Sequence, residues 1–482
     1  MASPTSPRDE TGRSVAANET DDPTALDGAV EHSSLADEAD VDVGPRAPET
    51  AVRSSRGILG LRVVSLGIVF VGSIALARSL GPEDRGAQAF LVASTLILAA
   101  VFGGSAAIGG YVLATRRGVA QRILARNATW FGVGSGFLAM IAVVAVEAVW
   151  PILPPEIAAL PWWPAVIWVA VAGFVTNGHE AQLAFASGRP VAGAIFSFAP
   201  YTIAAIGYIV LLILARGELA VTLWIFALSP TVVSLVARRL DVGLGARLGR
   251  PDQAMVRGSL RQGMRSYPGE LAALLHLRID VILLGILAGS AAVGIYVVAY
   301  QSVEPILVLS AASAAAILAL GHGDPAVERG DVTVRLVRQT AAIGVPLGVL
   351  GFVLAPTVVP IVYGADFAPA VQPLQILLVG VIGLAIGRIG MADLLRRNML
   401  GRMAAISTTV LAVNIVLNLL LIPGLGPVGA ATASLVSYWL MATLSLTTVR
   451  RAAGFQWRQF LAPTLPRDIE RRDGRSIAGS GR

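Results

Sequence analysis

Twelve long apolar blocks, separated by short polar loops, constrain this chain more than any other feature. They fall at 57–78, 87–114, 127–149, 158–178, 191–215, 219–237, 267–288, 291–320, 337–363, 373–395, 403–423 and 427–449. Each has the length a helix needs to cross roughly 30 Å of hydrocarbon. With 55% hydrophobic and only 14% charged residues, the chain departs from the roughly one-quarter charged composition of soluble domains. The sequence therefore predicts an all-α polytopic membrane protein of about twelve transmembrane helices. Pro161 and Pro164 blur the start of the fourth block. Blocks 2 and 8 exceed the minimum span, so they are expected to tilt or project.

Arginine sets the orientation. The chain has no lysine, and all 37 basic residues are arginine. With the N-terminus cytoplasmic, the inside loops hold eighteen arginines, and the outside loops hold only Arg78, Arg85 and Arg216. Positive charge favours the cytoplasmic side, and a miscounted helix would scramble the bias. The expected location is the plasma membrane, multi-pass, with both termini cytoplasmic. Trp150, Trp162 and Trp163 fit an outer aromatic belt. The net charge of +6 thus reflects topology and not a nucleic-acid surface.

Residues 1–50 carry twelve acids against three arginines, a composition that predicts a disordered acidic tail over 1–55. An N-lobe of six helices is expected over 56–240, a cytoplasmic linker over 241–266, a C-lobe over 267–450 and a basic tail over 451–482. The linker's mixture of apolar and basic residues suits an interfacial amphipathic helix.

The two lobes read as a duplicated unit. Gly81 and Gly86 after block 1 are matched by Gly289 and Gly294 after block 7, in each case 208 residues on. Gly188-Arg189 is matched by Gly401-Arg402, and Arg238-Arg239 by Arg450-Arg451. Both halves begin on the same side, so the repeat is parallel, about an axis along the membrane normal.

The sequence has no cysteine, which excludes disulfides and thiolate metal sites. It holds no Walker A sequence, no HExxH and no convincing nucleophile elbow, and its loops leave little room for a catalytic domain. A transporter without metal or cofactor is expected, not an enzyme.

Charged residues inside helices are the candidates for function, because burying them in a membrane is costly. Block 7 carries Glu270, His276, Arg278 and Asp280. Arg278 lies about eleven residues into the block, roughly 16 Å deep at 1.5 Å per residue. It either lines a hydrated cavity and meets an anionic group, or forms an internal ion pair. His276 and Asp280 are four apart and share a face, so the carboxylate can hold the imidazole. Glu304, before Pro305, is either the partner of Arg278 or a protonatable site for ion coupling, a role also open to Glu270. Arg62 and Arg388 either face the cavity or snorkel to the inner surface, and snorkelling accounts for Asp393. Glu147 reads as interfacial, His179 and Glu180 as solvated loop residues or, alternatively, gate residues, and Asn414 with Asn418 as interhelical glue.

Four stretches resemble one family. They are Leu80-Gly-Pro-Glu-Asp-Arg-Gly86, Arg278-Ile-Asp280-Val-Ile-Leu-Leu-Gly285 with Ala292-Val-Gly294-Ile-Tyr296, Val362-Tyr-Gly364-Ala-Asp366-Phe, and Asn414-Ile-Val-Leu-Asn418 running through Pro423 to Gly429. Together they resemble polysaccharide and oligosaccharide-lipid flippases of the multidrug/oligosaccharidyl-lipid/polysaccharide exporter superfamily. The resemblance implies two six-helix lobes around a central cavity. It implies alternating access, and transfer of a lipid-linked oligosaccharide, carried on a polyprenyl pyrophosphate, for cell-surface polysaccharide. It also implies cationic cavity residues, with Arg278 and Asp280 at motif positions, and membrane lipids and polysaccharide-assembly proteins as partners. The alternatives are a multidrug/cation antiporter of the same superfamily and a membrane glycan polymerase or glycosyltransferase.

Overall fold

A computed structural model describes residues 48–116, 121–239, 250–264, 267–318 and 330–460. The described residues are helical throughout, apart from turns. The expected acidic tail lies outside them up to residue 47, and the basic tail beyond residue 460.

The elements are α1 (Pro48–Ala99), a π segment (Ala100–Gly104), α2 (Ser105–Arg116), α3 (Gln121–Val149) and the short α4 (Pro155–Ala158). Then come α5 (Trp163–Ala186), α6 (Pro190–Ile213), α7 (Leu219–Arg239) and the linker helix α8 (Gln253–Gly263). The second half runs through α9 (Tyr267–His276), α10 (Ile279–Ala288), α11 (Ser290–Leu318), α12 (Asp331–Tyr363), a 3-10 turn (Ala365–Ala370), α13 (Val371–Arg396), α14 (Leu400–Leu425) and α15 (Pro427–Ala453).

Nine helices among the described residues are long and apolar enough to cross a membrane, by length and composition. Expected blocks 2, 4 and 7 are not counted separately, each for a physical reason. Block 2 runs on from block 1 within α1, with non-helical backbone at Gly81 (φ 74°, ψ 177°). Block 4 is α5, whose last turns carry Asn177, His179 and Glu180. Block 7 is broken in two between His276 and Ile279.

The helices pack as two equivalent sets. In the first half the arm of α1 before Gly81 lies on α6, α3 on α5, and α7 on both α5 and α6. In the second half α9 and α10 lie on α14, α12 on α13, and α15 on both α13 and α14. Outward faces are apolar and bare, as a lipid-facing surface must be; on α12, Val353 is 67% and Ile361 65% exposed.

The repeat touches itself where the arm of α1 after Gly81 crosses α11. A Cβ on Gly86 would overlap the carbonyl of Ser290, and one on Gly294 would overlap the carbonyl of Pro82. Pro82 and Ser290 are themselves repeat mates, so the contact is reciprocal. Gly81 and Gly289 have the same left-handed backbone (φ 74° and 82°), a conformation that favours glycine. It starts each crossing helix at the same angle. Arg78 extends this seam, its Nε donating to the carbonyl of Val362 at 2.7 Å and its Nη2 to that of Ile361.

Each half is pinned at its arginine-rich end by a buried acid, at positions matched in the repeat. Glu180 accepts from Arg238 Nη2 at 2.7 Å, and Arg238 also donates to Thr129 at 2.8 Å. Asp393 accepts from Thr333 at 2.9 Å, from Arg396 Nη2 at 3.1 Å and from Arg397 Nε at 3.1 Å. Asp393 is wholly buried, which corrects the expectation that it snorkels: its arginines fold back to it. His179 and Glu180 are likewise buried and not solvated loop residues. His179 stacks on Phe131 at 5.3 Å and its Nδ1 contacts the Val175 carbonyl at 2.8 Å.

The expected interhelical glue of Asn414 and Asn418 is present. Asn414 donates to Ser437 at 3.1 Å, and Asn418 donates back to the Asn414 carbonyl at 2.9 Å, joining α14 to α15. Glu147 accepts from the backbone N–H of Ile152 and Leu153, fixing the turn after α3. In the linker, α8 buries Ser259 and Gly263 and exposes Arg257 and Arg261. Its partner is α2, through a second reciprocal crossing: a Cβ on Gly109 would overlap Ser259, and one on Gly263 would overlap Ser105.

Candidate functional site

A cavity of about 110 Å³ lies between the halves. Its first-half wall comes from α1, α6 and α7, including Ser73, Arg85, Gln88, Tyr201 and Tyr208. Its second-half wall comes from Arg278, Val281, Val297 and Gln301. One water needs about 10–15 Å³, so the space these polar groups share is large enough for several waters.

Arg278 reaches this space because its helix is interrupted. The α9 helix closes with two tight turns, Leu277 N–H to Leu274 O and Arg278 N–H to Leu275 O, both 3.0 Å. Arg278 itself has a non-helical backbone (φ −136°) and starts α10. Its guanidinium lies 5.7 Å from the Tyr300 ring centroid, a cation–π contact. Among the described residues no carboxylate comes within ion-pair distance of it. Glu304 interacts with Arg278 only at longer range, and also with Arg388 and Arg85.

The break overturns the expected His276–Asp280 pair. With two residues out of the helix, the four-residue spacing no longer places the side chains on one face. Asp280 turns into the second half, where it accepts from the Tyr296 hydroxyl, from Val281 N–H at 2.8 Å and from Ser434 at 3.3 Å. It is 2% exposed and acts as a packing group. His276 sits edge-on to Tyr438 at 5.5 Å, and neither ring nitrogen has a hydrogen-bond partner among the described residues. The Glu270 side chain lies outside the described residues.

Arg62 and Arg388 come from opposite halves, on α1 and α13, and repel each other electrostatically. Arg62 lies over the Phe198 ring at 5.6 Å. Glu304 thus interacts electrostatically with Arg278 and Arg388, Arg388 with Arg62, and Asp280 with Arg278, although the hydrogen bonds of Asp280 lie within the second half.

Arg85 belongs to the site, although the sequence places it in an outside loop. It is 2% exposed. Its Nη1 donates to Gln88 at 2.6 Å and its Nη2 to Gln301, across the seam, at 2.8 Å. Gln88 in turn donates to the Tyr208 hydroxyl at 3.3 Å. The missed signal was the repeat: the residue 208 on is Val293, which is fully buried.

Neither a protein-family model nor a curated protein sequence matches the chain. Solved structures do. The lipid II flippase MurJ in an inward closed conformation matches with a TM-score of 0.64 at 13% identity, over 83% of this chain and 88% of that one. An inward-facing multidrug resistance MATE family transporter of the MOP superfamily matches with a TM-score of 0.60 at 15% identity, over 83% and 96%. A MOP superfamily transporter from Pyrococcus furiosus matches with a TM-score of 0.54 at 16% identity, over 81% and 95%. The chain has the fold of the MOP superfamily of exporters, as its motifs implied.

Proposed function

We propose that the protein is an alternating-access flippase that moves a polyprenyl-pyrophosphate-linked oligosaccharide across the plasma membrane, for cell-surface polysaccharide synthesis. In this reading both termini are cytoplasmic, and polysaccharide-assembly proteins supply and receive the substrate. One observation carries it. The Arg278 guanidinium, freed by a helix break, shares a cavity with Arg85, Arg62 and Arg388 repel each other across the halves, and against these four arginines the acids that act on Arg278 are Glu304 and Asp280. An interior with this excess of guanidinium attracts an oxyanion and disfavours an organic cation. A cavity of about 110 Å³ is too small for a glycan, so the halves must separate to load one.

The antiporter alternative requires an acid in the cavity wall of the first half. There Glu180 is held by Arg238 and Glu147 by the turn after α3.

The test is transport in proteoliposomes. A fluorescent polyprenyl-diphosphate oligosaccharide should cross to the leaflet open to a membrane-impermeant quencher, and Arg278→Ala should slow this by about tenfold or more, as loss of a charge-assisted contact predicts. An unchanged rate in folded Arg278→Ala removes Arg278 from the mechanism. Uptake of an organic cation in place of the lipid would establish the antiporter.

A further inference from the structure

At its arginine-rich end the second half carries a cleft of about 490 Å³, lined by Met399, Arg402, Thr448, Arg451 and Ala452. The cleft has no lining residue in common with the cavity between the halves. Its volume falls in the range of small-ligand sites, about 300–1,000 Å³. Its two arginines come from different helices: Arg402 from the first turn of α14, Arg451 from the last turn of α15. Neighbouring arginines are held by the protein. Arg396 and Arg397 bond to Asp393, and Arg450 bonds to the Phe455 carbonyl and lies over the Trp457 ring. Among the described residues Arg402 and Arg451 have no hydrogen-bond, ion-pair or ring partner, and no acid lines the cleft.

Two further features bear on what fits there. The α14 helix starts at Met399 without a side-chain cap. Its first N–H groups therefore open beside the cleft, where the helix dipole favours an anion. Arg402 also stands in line with Val416 and Leu420 on the bare apolar face of α14, which are 54% and 69% exposed. A positive cleft thus adjoins a surface for hydrocarbon. Basic pockets between membrane helices take anionic headgroups for this reason.

We propose that the cleft holds a resident anionic phospholipid of the leaflet at the arginine-rich end. Its phosphate lies between Arg402 and Arg451, and an acyl chain runs along the exposed face of α14. The shared anion offsets the repulsion of two guanidiniums on one cleft and ties the start of α14 to the end of α15. The proposal goes beyond the flippase reading and stands whatever the cavity carries.

The experiment is native mass spectrometry of the full chain in neutral detergent, titrated with dioleoylphosphatidylglycerol or dioleoylphosphatidylcholine. Wild type should bind its first phosphatidylglycerol about tenfold more tightly than phosphatidylcholine, and Arg402→Gln/Arg451→Gln should cut that preference to about twofold or less. Arg402→Lys/Arg451→Lys, which keeps both charges, should retain most of it and guards against a folding defect. Arg458→Gln removes an exposed arginine outside the cleft and should change nothing; an equal loss there would mean general surface charge and overturn the site. Soluble glycerol 3-phosphate at about hundredfold excess should not compete; effective competition would assign the cleft to a free phosphate and overturn the lipid. Arg278→Ala, which tests the cavity, should leave the preference intact. A preference lost in Arg278→Ala but kept in Arg402→Gln/Arg451→Gln would place the lipid in the cavity and overturn the proposal.

Discussion

The halves meet at both ends of the cavity, but by different means. At the Gly81 end, backbone lies on backbone, Arg78 caps the last carbonyls of α12, and Arg85 reaches Gln301. At the arginine-rich end the contacts are fewer and softer. The Tyr267 hydroxyl shares its proton between the carbonyls of Ala100 and Val101, both at 2.8 Å, groups left over by the π segment. Arg62 and Arg388, one from each half, repel each other. The first end is fixed by shape, which has no graded response. The second is held by a hydroxyl and opposed by repulsion. The arginine-rich end is therefore expected to open at lower free energy from this conformation, and substitutions at both ends test that.

Four substitutions bear on that contrast. Gly294→Leu should be the most damaging, since its side chain must displace the Pro82 backbone. A loss of about 3 kcal/mol or more is expected, read as a collapse of the thermal melt in detergent; a normal melt would show that the crossing yields. Arg78→Ala removes two charge-assisted bonds to a helix C-terminus, and about 1–2 kcal/mol should be lost. Spin labels flanking Arg78 and Val362 should then separate. Arg62→Glu turns a repulsion into an attraction worth on the order of 1 kcal/mol. Label pairs at the arginine-rich end should draw together and flipping should slow. An unchanged distance distribution would mean that the two guanidiniums do not control this end. Tyr267→Phe should have the smallest effect, about 1 kcal/mol or less for one shared hydroxyl, with a modest rise in the open population and little change at the Gly81 end. The absence of cysteine makes every such label site unique.

The sequence foretold the helical plan well because apolar length and loop arginines are local signals. It also found the glycines of the crossing, because a left-handed backbone and a close approach both require them. It missed what depends on a helix ending without a local cause. Neither Leu277 nor Arg278 is a helix breaker, yet the helix stops there, and that separates His276 from Asp280. Arg85 was misread because the apolar run resumes only at Gly86 and Ala87, so a charge before it looks like loop. Asp393, His179 and Glu180 were misread as surface because arginines stand nearby in sequence or space. For Glu180 and Asp393 those arginines are the partners that allow burial, whereas His179 is covered by Phe131. In each case the deciding fact was where a neighbouring helix lies.

The glycine crossing has a consequence for how such a chain arises. Each half gives a bare glycine to the other's backbone carbonyl and receives the same in return. This is the form of contact found in a twofold homodimer, where one patch serves as both donor and receiver. Two separate six-helix chains, each carrying one copy of the motif, already hold everything the crossing needs. The linker and α8 keep the halves together, but they are not what makes the halves fit.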